Sequence, residues 1–364
     1  MSLSVDNVLV ALSKVIDPDL KKDLVTLGMI QDLSIEQGKI SFTIVITTPA
    51  CPFKESLKKA CIKAIRDHVD QHAPIEIGFE SRTLGKKKDE ESLLPGVKNI
   101  IAVASGKGGV GKSTVSANLA LSLAAAGAKV GLLDADVYGP SVPIMFGAVD
   151  NQLTSVEENE KVKVLPMQKY GISIMSIGFF VDASKALIWR GPMASSALKQ
   201  LFTDVKWGDL DYLIVDLPPG TGDIHLSLMQ TLQLTGVVVV STPQDVALAD
   251  ARKAVSMFEN PKLNVKVLGM IENMAWFTPA ELPENRYYIF GKGGCRKLAE
   301  ETGVPFLGEI PLVQSVCEAG DKGKPVFLTD DPIVKPCLEA ITGRLAQEVS
   351  MLNATAGEIN TVVG

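Results

Sequence analysis

Gly106-Lys107-Gly108-Gly109-Val110-Gly111-Lys112-Ser113 follows the apolar run Ile100-Ile101-Ala102-Val103-Ala104 and precedes a helical pattern from Ser113 to Ala126. A glycine-rich turn between a buried strand and a helix lets the backbone point its N–H groups inward around phosphate oxygens. The helix N-terminus adds positive potential. Lys112 is placed to reach the β- and γ-phosphates, and the Ser113 hydroxyl to coordinate Mg2+. Ligand-free glycine turns rarely carry the whole string in this strand–helix context. The stretch therefore predicts a nucleoside triphosphate site, with ATP and Mg2+ the expected pair, touched by Gly106, Lys107, Gly108, Gly109, Val110, Gly111, Lys112, Ser113 and Thr114.

Further along, apolar strands keep alternating with helices. Lys129–Asp134, Tyr212–Asp216, Gly236–Ser241, Val265–Ile271 and Pro305–Ile310 all read as strands. Strands that are apolar on both faces and separated by helices predict an α/β fold of the P-loop NTPase kind: a mostly parallel sheet with helices on both faces. Asp134 and Asp136 follow the second strand, and Asp216 ends the third. Carboxylates at the C-terminal edge of such a sheet face the crevice where ligands bind, although each alone reads equally well as a helix cap. Beside the loop, Asp216 suits a Walker B role, holding Mg2+ through water. Lys107 is unusual, because a second charge among glycines is costly without an anionic partner.

The first 80 or so residues have a different rhythm. Val8, Leu9, Leu12 and Val15 are at helical spacing, Lys39–Ile46 alternates with period two, Glu55–Val69 is helical again, and Ile75–Phe79 reads as a closing strand. These predict a small α+β domain over residues 1–83. The charged stretch Lys86-Lys87-Lys88-Asp89-Glu90-Glu91 and Pro95-Gly96 mark a linker over 84–97. An NTPase domain over 98–352 and a tail over 353–364 complete the expected organisation.

The chain has 364 residues, 46% of them hydrophobic, and a formal charge of −6. The hydrophobic content is ample for two cores, and the mild negative charge argues against a dedicated nucleic-acid binder. The start has no basic segment leading into an unbroken apolar run, so it does not read as a signal peptide. The longest apolar runs fall far short of the roughly 20 residues that cross a bilayer. A soluble cytoplasmic protein without a membrane partner is expected. The five cysteines, Cys51, Cys61, Cys295, Cys317 and Cys337, form no C-x-x-C pair, which argues against a disulfide framework or a self-contained zinc site.

The spelling GKGGVGKST over 106–114 resembles the deviant Walker A loop of the nitrogenase iron protein and of cell-division and plasmid-partitioning ATPases. That resemblance implies a homodimer sandwiching two ATP molecules, with Lys107 reaching the partner's nucleotide. It also implies that Lys107, Lys112, Asp136 and Asp216 are catalytic, Asp136 acting on the attacking water. Ser113, Asp134 and Asp216 would surround Mg2+, Leu217–Asp223 would sense the γ-phosphate, and Asn273 would read adenine. DADVYGPSVP (134–143), WRGPMASSAL (189–198), DYLIVDLPPGTGD (211–223) and YYIFG (287–291) together resemble the Mrp/ApbC family. Its members are ATPases proposed to carry iron–sulfur clusters to apoproteins. The N-terminal unit, through Asp17-Pro18-Asp19, Leu27-Gly28 and Thr47–Pro52, resembles a small domain associated with iron–sulfur assembly. Apoproteins and cluster-assembly factors are the partners this implies.

One departure stands out. Many family members carry a C-x-x-C pair between the Glu-Asn-Met segment and Tyr-Tyr-Ile-Phe-Gly, whereas Ala275–Glu284 here holds no cysteine. Cys51 and Cys295 are the expected substitutes as cluster ligands, ahead of Cys317. Cys51 sits at a strand-to-helix turn, where a helix N-terminus lowers a thiol pKa. The alternative to a cluster carrier is an ATPase that positions cargo on a membrane or DNA. Such a protein needs a cationic amphipathic anchor or a basic surface, and the cations of Ile333–Leu352, Lys335 and Arg344, are few.

Overall fold

A computed structural model of the chain describes residues 3–85, 93–149, 151–158, 161–180 and 191–355. Residues 86–92 of the expected linker, Trp189 and Arg190 of the 189–198 motif, and 356–364 of the expected tail lie outside the described residues. The chain divides into two compact units, Met1–Lys87 with Ala346–Gly364, and Lys88–Leu345.

The small unit runs α1 (Val5–Leu12), β1 (Ile30–Glu36), β2 (Lys39–Ile46), α2 (Lys54–His68) and β3 (Ile75–Ser81). Ser4 starts α1 by accepting a hydrogen bond from the Asn7 N–H at 3.3 Å, which satisfies one of the donors a helix start leaves open. Strand β2 is central, antiparallel to β1 and parallel to β3. Its alternation puts Ile40, Phe42 and Ile44 on one face, where they share a core with Leu12, Leu57, Cys61 and Ile65. Strand β1 was not foreseen. Asp32 has a φ of 53° and the register slips between Gln31 and Ser34, so a bulge breaks the period-two pattern that would have revealed it.

The larger unit contains β4 (Val97–Ala104), α3 (Lys112–Ala125), β5 (Val130–Asp134), α4 (Val142–Met145), β6 (Ser155–Glu158), β7 (Lys161–Val164), β8 (Met167–Lys169) and β9 (Ile172–Ser176). It continues with α5 (Gly191–Thr203), β10 (Leu210–Asp216), α6 (Asp223–Thr231), β11 (Gly236–Ser241), α7 (Asp245–Phe258), β12 (Val267–Phe277), α8 (Gly294–Thr302), β13 (Phe306–Leu312), α9 (Gln314–Asp321) and α10 (Val334–Thr355). The turns of α10 from Ala346 onward group with the small unit.

Eight strands form one sheet in the order β13-β12-β11-β4-β10-β5-β9-β8. It is parallel except at the edge, where β8 runs antiparallel to β9. The predicted mostly parallel α/β sheet is therefore present, with an added β8–β9 hairpin and a separate β6–β7 ribbon. The hairpin turns through Tyr170 (φ 51°) and Gly171 (φ 80°), the left-handed pair a two-residue turn requires.

Strands β5 and β11 are buried along their whole length, which explains their lack of polar alternation. Each fully buried Val, Leu or Ile stabilises the fold by roughly 1.5–3 kcal/mol, and this allows charged groups to be held at the strand ends. Strand β4 lies at the centre, with β10 and then β5 on one side and β11 on the other. The order reverses there, at the point where open α/β sheets bind ligands. Among the described residues no helix is long and apolar enough to cross a membrane.

Candidate functional site

The loop leaves β4 at Ala104 and enters α3 at Lys112. Gly109 and Gly111 have φ values of 81° and 79°, a region residues with a Cβ avoid. Gly106 is constrained by packing, since a Cβ there would lie 2.2 Å from the Asp250 carbonyl carbon in α7. Helix α3 starts from Gly111 with no side-chain cap. Its first-turn N–H groups have no intrahelical acceptor, which is the arrangement that receives a phosphate.

Parallel register sets Asp216 at the end of β10 beside Asp134 at the end of β5. The Lys112 ammonium lies 2.8 Å from Asp216 Oδ1 and 3.3 Å from Ser113 Oγ. The Lys112 and Asp216 side chains are 6% and 0% exposed. Ser116 Oγ, one helical turn beyond Ser113, donates to the same Asp216 oxygen at 2.7 Å. Asp216 Oδ2 is buried and has no hydrogen-bond partner among the described residues. A carboxylate oxygen left this way is costly, and it suits the hydration water of a cation.

Asp134 accepts from the Asp136 N–H (3.1 Å), the Val142 N–H (3.2 Å) and Ser176 Oγ (3.0 Å). Burial, reinforced by the charge of Asp216, pushes its carboxyl up to about 7. Asp136 accepts from the Tyr138 and Gly139 N–H groups. Its pKa is raised, chiefly by burial, with Asp216 adding to the shift and Lys112 opposing it. Dehydration and like charge both disfavour ionised carboxylates, and a divalent cation reverses that balance. The donor set of Ser113, Asp134 and Asp216 thus fits Mg2+ beside the loop.

Asn273 was expected just after the fifth strand. Strand β12 instead runs on to Phe277, past Met274 in the left-handed region (φ 55°) and a register shift. Asn273 is therefore inside the strand, 7% exposed, and its Nδ2 donates to the Val110 carbonyl at 2.8 Å. That bond ties the side chain to the backbone of the glycine loop. Of the other loop residues, Val110 is buried, and Thr114 Oγ1 lies 4.0 Å from Met145 Sδ. The Lys107 carbonyl accepts from Ser105 Oγ at 2.9 Å, and among the described residues its ammonium makes no ion pair.

The Leu217–Asp223 segment adjoins the loop. The Gly220 N–H donates to the Ser105 carbonyl at 3.0 Å, and a Cβ on Gly108 would touch Pro219 at 3.9 Å. Ser116, Ser176 and His225, which line this region, were not singled out from the sequence. Only Ser116 left a trace there, through its position one turn after Ser113.

Cys51 and Cys295 lie in different units. Helix proximity was expected to lower the Cys51 thiol, but burial pushes it up to about 11. Dehydration outweighs the Phe53 and Lys54 N–H groups at the start of α2. Cys295 is fully buried in the first turn of α8. Its N–H and that of Gly293 cap onto the buried Glu272 carboxylate at 2.7 and 3.2 Å, and burial drives its thiol pKa strongly upward. Burial also pushes Cys61 up to about 12. Cys337 is half-buried and Cys317 exposed. Among the described residues, no three His, Cys, Asp or Glu side chains are grouped to hold a metal ion.

Residues 96–346 match the profile of the NUBPL iron-transfer P-loop NTPases, and residues 5–77 that of an iron–sulfur cluster assembly protein. The chain is 45% identical over 353 residues to an iron–sulfur cluster carrier protein of Synechocystis, spanning 96% of this chain and 99% of that one. It is 51% identical over 252 residues to an iron–sulfur protein required for NADH dehydrogenase, mitochondrial, of Arabidopsis thaliana, spanning 69% and 78%. A solved nucleotide-binding protein of Archaeoglobus fulgidus in complex with ADP superposes with a TM-score of 0.55 at 39% identity, over 66% of this chain and 93% of that one.

Proposed function

The chain belongs to the NUBPL iron-transfer P-loop NTPase family, and on that footing we propose that it is a homodimeric ATPase that carries iron–sulfur clusters to apoproteins in the cytoplasm. The observation that carries the hydrolytic half is the meeting of Lys112, Asp134 and Asp216 in a buried cluster under a glycine loop. The cargo is inferred from relatives that span nearly the whole chain and are named as cluster carriers. The cluster is the substrate.

In this reading Lys112 and the loop N–H groups cradle the β- and γ-phosphates. Ser113, Asp134 and Asp216 hold Mg2+, which when bound neutralises charge on the phosphate oxygens. Asn273 keeps the loop in shape by holding the Val110 carbonyl. Asp136 orients the attacking water, and burial, by raising its pKa, strengthens the carboxylate as a proton acceptor. Lys107, without an anionic partner among the described residues of its own chain, serves the nucleotide of a second copy. Thiolate ligation of the cluster falls to Cys51, Cys295 or the exposed Cys317. Cys51 is half-buried, and the fully buried Cys295 needs local opening to take part.

ATP binding and turnover of Lys107→Ala test the sandwich. Affinity for ATP is expected to stay within about two-fold while turnover falls by more than about ten-fold, the scale of removing one charged contact in a transition state. Unchanged hydrolysis would sink the dimeric arrangement.

A further inference from the structure

The Pro218–Gly222 segment begins with two prolines, neither of which has an N–H to offer. The base of this segment is therefore held through carbonyl groups. Pro218 is buried, whereas Pro219, Thr221 and Gly222 are exposed. At the far side the Gly220 N–H is tied to the Ser105 carbonyl, which joins the segment to the start of the phosphate loop. At the base the tie comes from His225, the third residue of α6, whose Nε2 lies 2.9 Å from the Pro218 carbonyl oxygen.

A carbonyl oxygen only accepts, so Nε2 carries the hydrogen and Nδ1 is bare. The ring is 2% exposed, and Nδ1 has no hydrogen-bond partner among the described residues. A buried imidazole with one nitrogen unsatisfied is costly, and the hydrogen bond of its other nitrogen offsets part of that cost. Burial also lowers its pKa, which keeps the ring neutral.

We infer that His225 is the anchor of the Pro218–Gly222 segment: by holding the Pro218 carbonyl it fixes the base from which the exposed Thr221–Gly222 tip responds to the nucleotide. It is a positioning residue for turnover and adds little to nucleotide affinity. The inference rests on the ATPase reading above and extends it to a residue outside the loop and the acidic cluster.

Two variants separate the anchor from simple packing. His225→Phe keeps an aromatic ring but has no donor, while His225→Gln keeps an N–H at similar reach. Leaving a buried carbonyl unpaired is expected to cost about ten-fold in kcat for His225→Phe, with KM for ATP within about two-fold. His225→Gln is expected to recover most of that loss. A wild-type kcat in His225→Phe, or a His225→Gln no better than His225→Phe, would overturn the anchor. The 15N spectrum of the imidazole reads it without turnover. A slowly exchanging Nε2 proton at pH 7 supports the anchor, and a neutral ring that carries its proton on Nδ1 contradicts it. Absence of hydrolysis by the unaltered protein would count against the ATPase reading, and the spectrum would still decide the role of His225.

Discussion

Asp216 presents two oxygens in different circumstances. Oδ1 takes the Lys112 ammonium and the Ser116 hydroxyl, while Oδ2 is buried without a partner among the described residues. Asp216→Asn removes the counter-charge of a buried ammonium, which typically costs about 3 kcal/mol or more. A fall of that size in unfolding free energy, measured in urea without nucleotide, is expected, and an unshifted midpoint would contradict the pairing. Two glycines make a sharper contrast. Gly106→Ala drives a Cβ to 2.2 Å from the Asp250 backbone, a clash no rotamer relieves, so ATP binding should be lost. Gly109→Ala meets nothing within 4 Å and costs only the roughly 1–2 kcal/mol of a left-handed alanine. Equal tolerance of both changes by nucleotide-binding assay would argue against the loop packing described.

Asp134 gives a pH dependence. Its folded pKa of about 7 lies above the unfolded value near 3.9, so protonation favours the folded state. The stabilisation is fully present below about pH 4 and is lost as pH rises through 7. Without nucleotide, the protein should gain stability from this group as pH is lowered from 8 to 5. Asp134→Asn should flatten the slope. A slope identical in wild type and variant would show that Asp134 is not its source.

At the scale of elements, β4, the loop and α3 were legible because the glycine string falls between an unbroken apolar run and a helical period. The ends of β5 and β10 were legible because each apolar run stops at an aspartate. What escaped did so for local reasons. The bulge at Asp32 disguised β1, the edge hairpin β8–β9 is short, and the left-handed Met274 hid the continuation of β12 past Asn273. His225 escaped because its role comes from a backbone carbonyl seven residues earlier, which no side-chain pattern records. The start of α2 carries a correction that can be measured. With its pKa raised to about 11, Cys51 is only about one part in a thousand thiolate at pH 8. Timed alkylation followed by peptide mass analysis should therefore label the exposed Cys317 first, and Cys51 and the fully buried Cys295 later. Labelling of Cys51 ahead of Cys317 would restore the activated-thiol view.

For the whole molecule, the family match covers both units: the iron-transfer NTPase profile over 96–346 and the cluster-assembly profile over 5–77. The cargo rests on kinship, in a chain whose Ala275–Glu284 interval has no cysteine. Anaerobic reconstitution of the full chain with iron and sulfide, followed by activation of an apo iron–sulfur enzyme, tests that step. Bound iron and sulfide that activate the apoprotein in wild type, with loss of bound metal in Cys51→Ala or Cys295→Ala, is the expected result. A reconstituted protein that holds no iron or sulfide and activates nothing would contradict cluster carriage by this chain.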